Sequence, residues 1–384
     1  MKQTLILLFL LSSGKSFSQI TLTKPLQSNQ RIIPAAERMQ VYLPLLKNKT
    51  VGVFANHTSM VGSKHLVDTL LQSGVKVKVI FSPEHGFRGT AEAGEKVGSY
   101  VDKQTGVQII SLYGGRQKPT ADDVKDIDVL LFDMQDVGVR FYTYISSLED
   151  FMNAAFELGK PLMLLDRPNP NGFYVDGPVL DKKYKSHIGM QAIPVVYGMT
   201  IGEYGLMLAG EKLLSVAANA RNEYFKRAKV TNDTPFHFLV IKCGNYTHKS
   251  KYELPVKPSP NLPEMQSIYW YPSTCFFEGT TLSEGRGTEK PFQIFGHPSL
   301  PKTMYAFVPQ LREYAKESKP YGKQCYGWNL HDLKEEVLKK VDGRLQLKYL
   351  IEAYRLFPEK DKFFIKPKSG NMDESFFNKL VGNA

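Results

Sequence analysis

Five stretches of the sequence concentrate side chains that move protons or hold anions. Asn56-His57 follows an apolar run at 51–55. Ser82-Pro83-Glu84-His85-Gly86-Phe87-Arg88-Gly89 follows a second such run. A third stretch carries Asp133, Gln135, Asp136, Arg140 and Tyr142. A fourth reads Leu165-Asp166-Arg167-Pro168-Asn169-Pro170-Asn171-Gly172. The fifth, Glu278-Gly279-Thr280-Thr281-Leu282-Ser283-Glu284-Gly285-Arg286-Gly287-Thr288, joins two Glu and one Arg to hydroxyls and glycines. Glycines let backbone pass close to a ligand. Paired carboxyl groups do general acid and base work, and cleaving a glycosidic bond needs both roles. Guanidinium groups fork onto carboxylate or phosphate. No G-x-S-x-G, H-E-x-x-H or Walker A pattern occurs, and no G-x-G-x-x-G follows the first strand. Those absences speak against a nucleophile-elbow serine esterase, a zincin protease and a nucleotide-binding domain. The three cysteines, Cys243, Cys275 and Cys325, fit neither a zinc site nor a disulfide framework. At most one disulfide can form among them. Neither a metal nor a cofactor is expected. The residues alone support a hydrolase of an anionic polymer, with a glycan as the first option.

Each stretch also has a structural use. Glu84 could pair with Arg88, and His85 could sit in a turn. Asp133 and Asp136 could cap the next helix. Asp166 with Arg167 could be an ion pair that orders a Pro-rich loop. Asn56 and His57 could satisfy a turn, and the glycine-rich stretch could be a surface loop. Glu203 belongs to Thr200-Ile201-Gly202-Glu203, a capping-box pattern that reads as a helix start. Convergence is what favours a site. Four of the stretches would meet at one sheet edge.

The elements that would position them alternate regularly. Strands are expected at 51–55, 75–81, 107–112, 127–132, 161–165, 193–197 and 238–241. Helices are expected at 37–46, 64–72, 146–158 and 201–216. Short, continuous apolar strands between helices predict a parallel sheet covered on both faces. The fold class is therefore α/β, a Rossmann-like doubly wound parallel sheet with a second, smaller α+β domain. Ligands of such sheets bind outside the carboxyl ends of the strands. A Pro-rich connector at 255–263 breaks the alternation. It separates an expected catalytic domain at 40–255 from a smaller C-terminal domain at 256–384, which carries a helix at 332–341.

Composition agrees with a folded, exported chain. Of its 384 residues, 42% are hydrophobic and 23% charged, and that length suits about two domains. Lys2, an apolar run at 5–11 and Ser16-Phe17-Ser18 read as a signal peptide over 1–18. That run is too short to span a bilayer, which takes about 20 residues, and no membrane span is expected later. The net charge of +11 suits an anionic cell-wall glycan. Nucleic acid is not expected, because no basic run is interleaved with aromatics. The oligomeric state is not legible.

Four motifs carry a family resemblance. They are the stretch at 82–89, Asp133-Met134-Gln135-Asp136-Val137-Gly138-Val139-Arg140-Phe141-Tyr142-Thr143-Tyr144, Leu165-Asp166-Arg167-Pro168-Asn169-Pro170, and the stretch at 278–288. The chain resembles the bacterial exo-β-N-acetylmuramidases of the NamZ type. The resemblance implies a Rossmann-like domain, a smaller C-terminal domain and a cleft between them. It implies release of N-acetylmuramic acid from non-reducing ends of peptidoglycan fragments. The resemblance implies a further segment past 376–382 in family members, so truncation of the C-terminal domain is an expectation. Glu84 becomes the first catalytic candidate, beside His85. The second acidic role is open among Glu278, Glu284, Asp133 and Asp166, and the 2-acetamido group could itself supply the nucleophile. Arg140, Arg167 and Arg286 are candidates for the lactyl carboxylate. Asn56, His57, Arg88, Asp136, Tyr142 and Asn169 complete the expected sugar-binding set. Two alternatives stay open: a non-catalytic wall-glycan-binding protein, and a wall esterase or amidase.

Overall fold

The computed structural model describes residues 30–83, 86–87, 98–228, 235–312, 315 and 319–383. Glu84, His85, Arg88 and the expected signal segment lie outside the described residues. Helix α1 (Met39–Leu46) leads into β1 (Thr50–Ala55). A small hairpin of β2 (Met60–Val61) and β3 (Lys64–His65) precedes α2 (Leu66–Gln72) and β4 (Lys76–Ser82). Next come β5 (Tyr100–Val101), β6 (Gln108–Ser111), α3 (Ala121–Val124), β7 (Val129–Asp133), α4 (Tyr144–Glu157) and β8 (Leu162–Leu165). Helices α5 (Ile201–Gly210) and α6 (Val216–Ala228) and strand β9 (Phe238–Ile241) follow.

The main sheet runs β5-β6-β4-β1-β7-β8-β9. All its pairings are parallel except that of β5 with β6. Without the edge strand β5, chain order across the sheet is 3-2-1-4-5-6, the doubly wound arrangement. The order reverses between β1 and β7, and that is where such sheets open a crevice. Side chains alternate between the faces. Val51, Val53, Leu131 and Met163 pack toward α1 and α2. Phe54, Leu130, Phe132 and Leu164 pack toward α4 and α5. Phe54 meets Phe132 at 5.2 Å and Phe151 of α4 at 5.0 Å between ring centres.

The C-terminal part adds α7 (Met265–Thr274) and the antiparallel strands β10 (Ile294–His297), β11 (Tyr305–Phe307) and β12 (Cys325–Asn329). Helices α8 (Lys334–Val341), α9 (Lys348–Leu356) and α10 (Phe376–Val381) complete it. Its buried Trp270, Tyr271, Phe277, Phe295 and Leu380 join the core that Phe54, Phe132 and Phe151 form in the first part.

Two expected elements differ. Residues 193–197 are not a strand; Val196 makes only isolated bridges to Val139 and Asp176. Pro194 has no N–H to give a ladder. The helix expected over 201–216 ends at Gly210. Lys212 takes a positive φ of 57°, and α6 starts afresh at Val216, beside the Ser215 hydroxyl that accepts the Ala218 N–H at 3.1 Å. The capping box at Thr200 is present: Glu203 N–H donates to the Thr200 hydroxyl at 3.1 Å, and Thr200 N–H donates to the Glu203 carboxylate at 2.9 Å. All three cysteines are buried free thiols. Among the described residues no helix is long and apolar enough to cross a membrane, and no His, Cys, Asp or Glu cluster could hold a metal ion.

Candidate active site

Strands β1 and β7 end level, with Ala55 opposite Asp133. Their loops are stitched together across the point where the strand order reverses. The Asn56 side-chain oxygen accepts from the N–H and hydroxyl of Thr58, at 2.9 and 2.6 Å. Its side-chain nitrogen donates to the Tyr144 hydroxyl at 2.8 Å. The Thr58 hydroxyl in turn accepts the Gln135 N–H at 3.0 Å, and the Ser59 hydroxyl donates to the Asp133 carbonyl at 2.5 Å.

The charged groups of the next loops pair with one another. Arg167 forks onto Asp133 through Nε and Nη2, both at 2.6 Å, and both side chains are nearly inaccessible. The fork expected to grip a sugar carboxylate is thus closed on a protein carboxylate, and Asp133 is no free acid. Asp166 accepts from the N–H groups of Arg167 and Gly202 and from the Thr200 hydroxyl, at 2.9, 2.8 and 3.0 Å. It holds the N-terminus of α5, where a carboxylate suits the helix dipole. Burial pushes its pKa to about 7. Burial likewise pushes Asp136 to about 7, although the Tyr197 hydroxyl and the Gly138 N–H donate to it. Its other oxygen, Oδ1, has no hydrogen-bond partner among the described residues. Asn169 bonds the Met199 carbonyl at 2.7 Å and the Asn171 N–H at 2.8 Å, which shapes its own turn.

Arg140 is the clearest correction. It is fully buried, and its Nη1 and Nη2 donate to four backbone carbonyls, those of Pro178, Ile193, Leu380 and Val381. It clamps α10 to the first part of the molecule and is not presented to a sugar. His57 and Tyr142 bond the connector: His57 Nε2 lies 2.8 Å from the Lys257 carbonyl, and the Tyr142 hydroxyl donates to the Pro258 carbonyl at 2.7 Å.

The second charged cluster belongs to the C-terminal part. Arg286 Nη2 donates to Glu278 at 2.5 Å, and its Nε lies 3.5 Å from Glu284. Lys319 lies 3.4 Å from Glu284 and donates to the Phe277, Glu278 and Thr280 carbonyls. Burial raises the Glu278 pKa against the pull of Arg286, and the neighbouring Glu284 charge adds to the rise. A carboxyl pushed up beside a second one suits a general acid. A run of rings links this cluster to the sheet edge. Tyr144 meets Tyr142 at 4.9 Å, Tyr142 meets Tyr271 at 6.2 Å, and Tyr271 meets Phe292 at 4.8 Å. The Arg286 guanidinium stands 5.6 Å over the Phe292 ring.

The structure therefore brings Asn56, His57, Asp133, Asp136, Tyr142 and Arg167 to one edge and joins Glu278, Glu284 and Arg286 to them by an aromatic wall. It turns Arg140 away and ties Asp166 and Asn169 to the 199–202 segment that leads into α5. Sequence reasoning passed over Tyr144, Tyr197 and Lys319 as site residues. Tyr144 lies inside a motif already singled out, but Lys319 carried no signal at all.

Comparison with known proteins places this architecture. The family described as exo-beta-N-acetylmuramidase NamZ, N-terminal, matches residues 51–266, and its C-terminal counterpart matches residues 269–384. The chain belongs to the NamZ family. A curated relative, the peptidoglycan beta-N-acetylmuramidase NamZ of Bacillus subtilis (strain 168), is 37% identical over 359 residues, covering 89% of this chain and 80% of the relative. Two crystal structures of DUF1343 family proteins from Bacteroides fragilis NCTC 9343 share the NamZ-family fold seen here. One is 44% identical with a TM-score of 0.77, and the other is 27% identical with a TM-score of 0.67. Each alignment covers 92% of this chain and 89% of the other. The join between the two NamZ halves falls at 266–269, in the first turn of α7 and just past the Pro-rich connector.

Proposed function

We propose that this chain is an exo-acting glycoside hydrolase that releases N-acetylmuramic acid from the non-reducing ends of peptidoglycan fragments. The observation that carries the reading is its NamZ-family membership, with 37% identity to a relative named as a peptidoglycan beta-N-acetylmuramidase. The site chemistry supports it. Buried carboxyl groups stand at a sheet edge, and no motif points to a serine or metal mechanism. We assign one acidic role to Glu84, from its place after β4 within the family motif. The other falls within the Glu278–Glu284 pair, two carboxyl groups that share Arg286 beyond the aromatic wall, while Asp133 is held in the Arg167 fork and Asp166 at the start of α5.

The test is incubation with a muramic acid–glucosamine disaccharide, with products identified by mass. Free N-acetylmuramic acid is the expected product. Binding without cleavage would leave a wall-binding protein, and loss of acyl groups or peptide alone would leave an esterase or amidase. Glu84→Gln should lower turnover by a factor of at least about a hundred, the usual size of a lost general acid or base. Near-normal release by that variant would remove Glu84 from the mechanism.

Export belongs to the same proposal, since the basic, apolar and small-residue order of residues 1–18 is that of a signal peptide. Cell fractionation should place the mature protein outside the cytoplasm. Retention of uncleaved chain in the cytoplasm would sink this part.

A further inference from the structure

Lys319 belongs to no motif, yet it meets the charged cluster of the C-terminal part at four points. It lies between β11 and β12, outside the 278–288 stretch that carries Glu278, Glu284 and Arg286. Its Nζ donates to the carbonyls of Phe277, Glu278 and Thr280, at 3.0, 3.1 and 2.5 Å. An ammonium group has three N–H donors, and these bonds use all of them. The Thr280 hydroxyl also donates to the Phe277 carbonyl, at 2.8 Å. The turn that carries Glu278 is thus gathered around one cation.

The same Nζ stands 3.4 Å from Glu284 Oε2, a buried oxygen with no hydrogen bond among the described residues. That contact is one of charge alone. Arg286 serves both carboxyl groups, with Nη2 on Glu278 at 2.5 Å and Nε 3.5 Å from Glu284. Two buried carboxyl groups that share one cation resist ionising together. Burial and the Glu284 charge hold the proton on Glu278, while Arg286 and Lys319 work to release it. Tyr271 and Cys275 bring no charge to the cluster, because burial pushes both well above their ordinary values. Arg312 bonds the Gly287 carbonyl but is paired with Glu289.

We propose that Lys319 is a positioning residue of the hydrolase: it gathers the backbone under Glu278 and supplies the second positive charge that sets the protonation of the Glu278–Glu284 pair. The inference rests on the reading above that one acidic role falls within this pair. A general acid or base must both hold and release its proton near the working pH. With Arg286 alone, burial and mutual repulsion would lock a proton onto the pair. The Lys319 charge makes that proton exchangeable, and it does so without touching the sugar.

Three variants separate charge from hydrogen bonding. Lys319→Met loses both, Lys319→Gln keeps amide donors without the charge, and Lys319→Arg keeps the charge. The first readout is the melting temperature from pH 4 to pH 8, which needs no turnover. The Lys319 charge stabilises the pair only once the pair ionises, so the deficit of Lys319→Met against wild type should widen by roughly 2 °C as pH rises. Groups that titrate alike in both proteins cancel in that difference. Lys319→Gln should show the same widening, and Lys319→Arg none. The second readout is the pH profile of kcat/KM on the muramic acid–glucosamine disaccharide. One limb should move up by about one unit in Lys319→Met and Lys319→Gln, because losing a cation favours the protonated pair. Lys319→Arg should keep the wild-type limb. Calorimetric titration with N-acetylmuramic acid should give affinities within about two-fold of wild type, since a residue that acts through another leaves ground-state binding in place. A deficit that does not change with pH overturns the inference. So does a loss of affinity of about ten-fold or more, which would put Lys319 on the sugar. Unmoved limbs in variants that still cleave overturn it too, and leave the muramidase reading intact. If wild type releases no N-acetylmuramic acid, the muramidase reading fails, while the melting series still decides whether Lys319 sets the charge of the pair.

Discussion

Asp136 and Asp166 show how burial alone can set a carboxyl's behaviour. Each is pushed to about 7, chiefly because its charge would be cut off from water. An unfolded aspartate titrates near about 4. A folded value above the unfolded one means that the folded state binds the proton more tightly. Stability from these groups is therefore complete below about pH 4 and is lost as pH rises through about 7. Asp136→Asn should flatten that part of the profile, because an amide keeps the acceptor for Gly138 and Tyr197 without the ionisation. Denaturation midpoints measured from pH 4 to pH 8 check this, and an unchanged slope would refute it. Asp133 differs because it has Arg167. A fork of two parallel bonds matches a carboxylate, and lysine has no such geometry.

At the scale of elements, the decisive contact is Arg140 on α10. Its guanidinium is buried and meets no carboxylate among the described residues, and burial lowers its pKa to about 10. Carbonyls at the end of α10 supply part of the compensation, since the C-terminus of a helix attracts cations. Gly382 completes the joint. Its φ is +72°, and a Cβ there would lie 2.4 Å from Arg140 Nη2. Arg140→Met should cost about 3 kcal/mol. It should also speed amide exchange across Phe376–Val381 before the main sheet opens. Unaltered protection of α10 would show that its apolar contacts suffice.

For the whole molecule, the two matched halves share a core. Phe141 at the sheet edge packs against Tyr271 and Phe276, at 5.4 and 5.8 Å between ring centres. Leu380 of α10 belongs to the same buried cluster as Phe54 of β1. Surfaces buried together this way should unfold together. Calorimetry should give one transition, with calorimetric and van't Hoff enthalpies in agreement. Two resolved transitions would mean that the halves fold separately. The same packing makes the site composite: β1, β7 and β8 supply one edge, and the 278–288 stretch supplies charges beyond the aromatic wall.

Local chemistry made much of this legible from the sequence. Continuous apolar runs such as 129–132 and Leu162–Leu165 announce strands buried on both faces, and a parallel sheet follows from them. Thr200 and Glu203 announce a helix start, because a capping box is complete within four residues. The motifs put Asn56 and Asp133 at the ends of neighbouring strands, and the structure has them there. They did not say which groups were free. Arg140, Arg167 and Arg286 look alike in sequence, yet one clamps a helix, one forks onto Asp133 and one stands between two glutamates. Only the tertiary structure decided that, because a guanidinium bonds whichever oxygens the fold delivers, and those come from residues as distant as Val381. The carboxyl groups at the strand ends were legible as types and positions. Their partners, and so their chemistry, were set by packing.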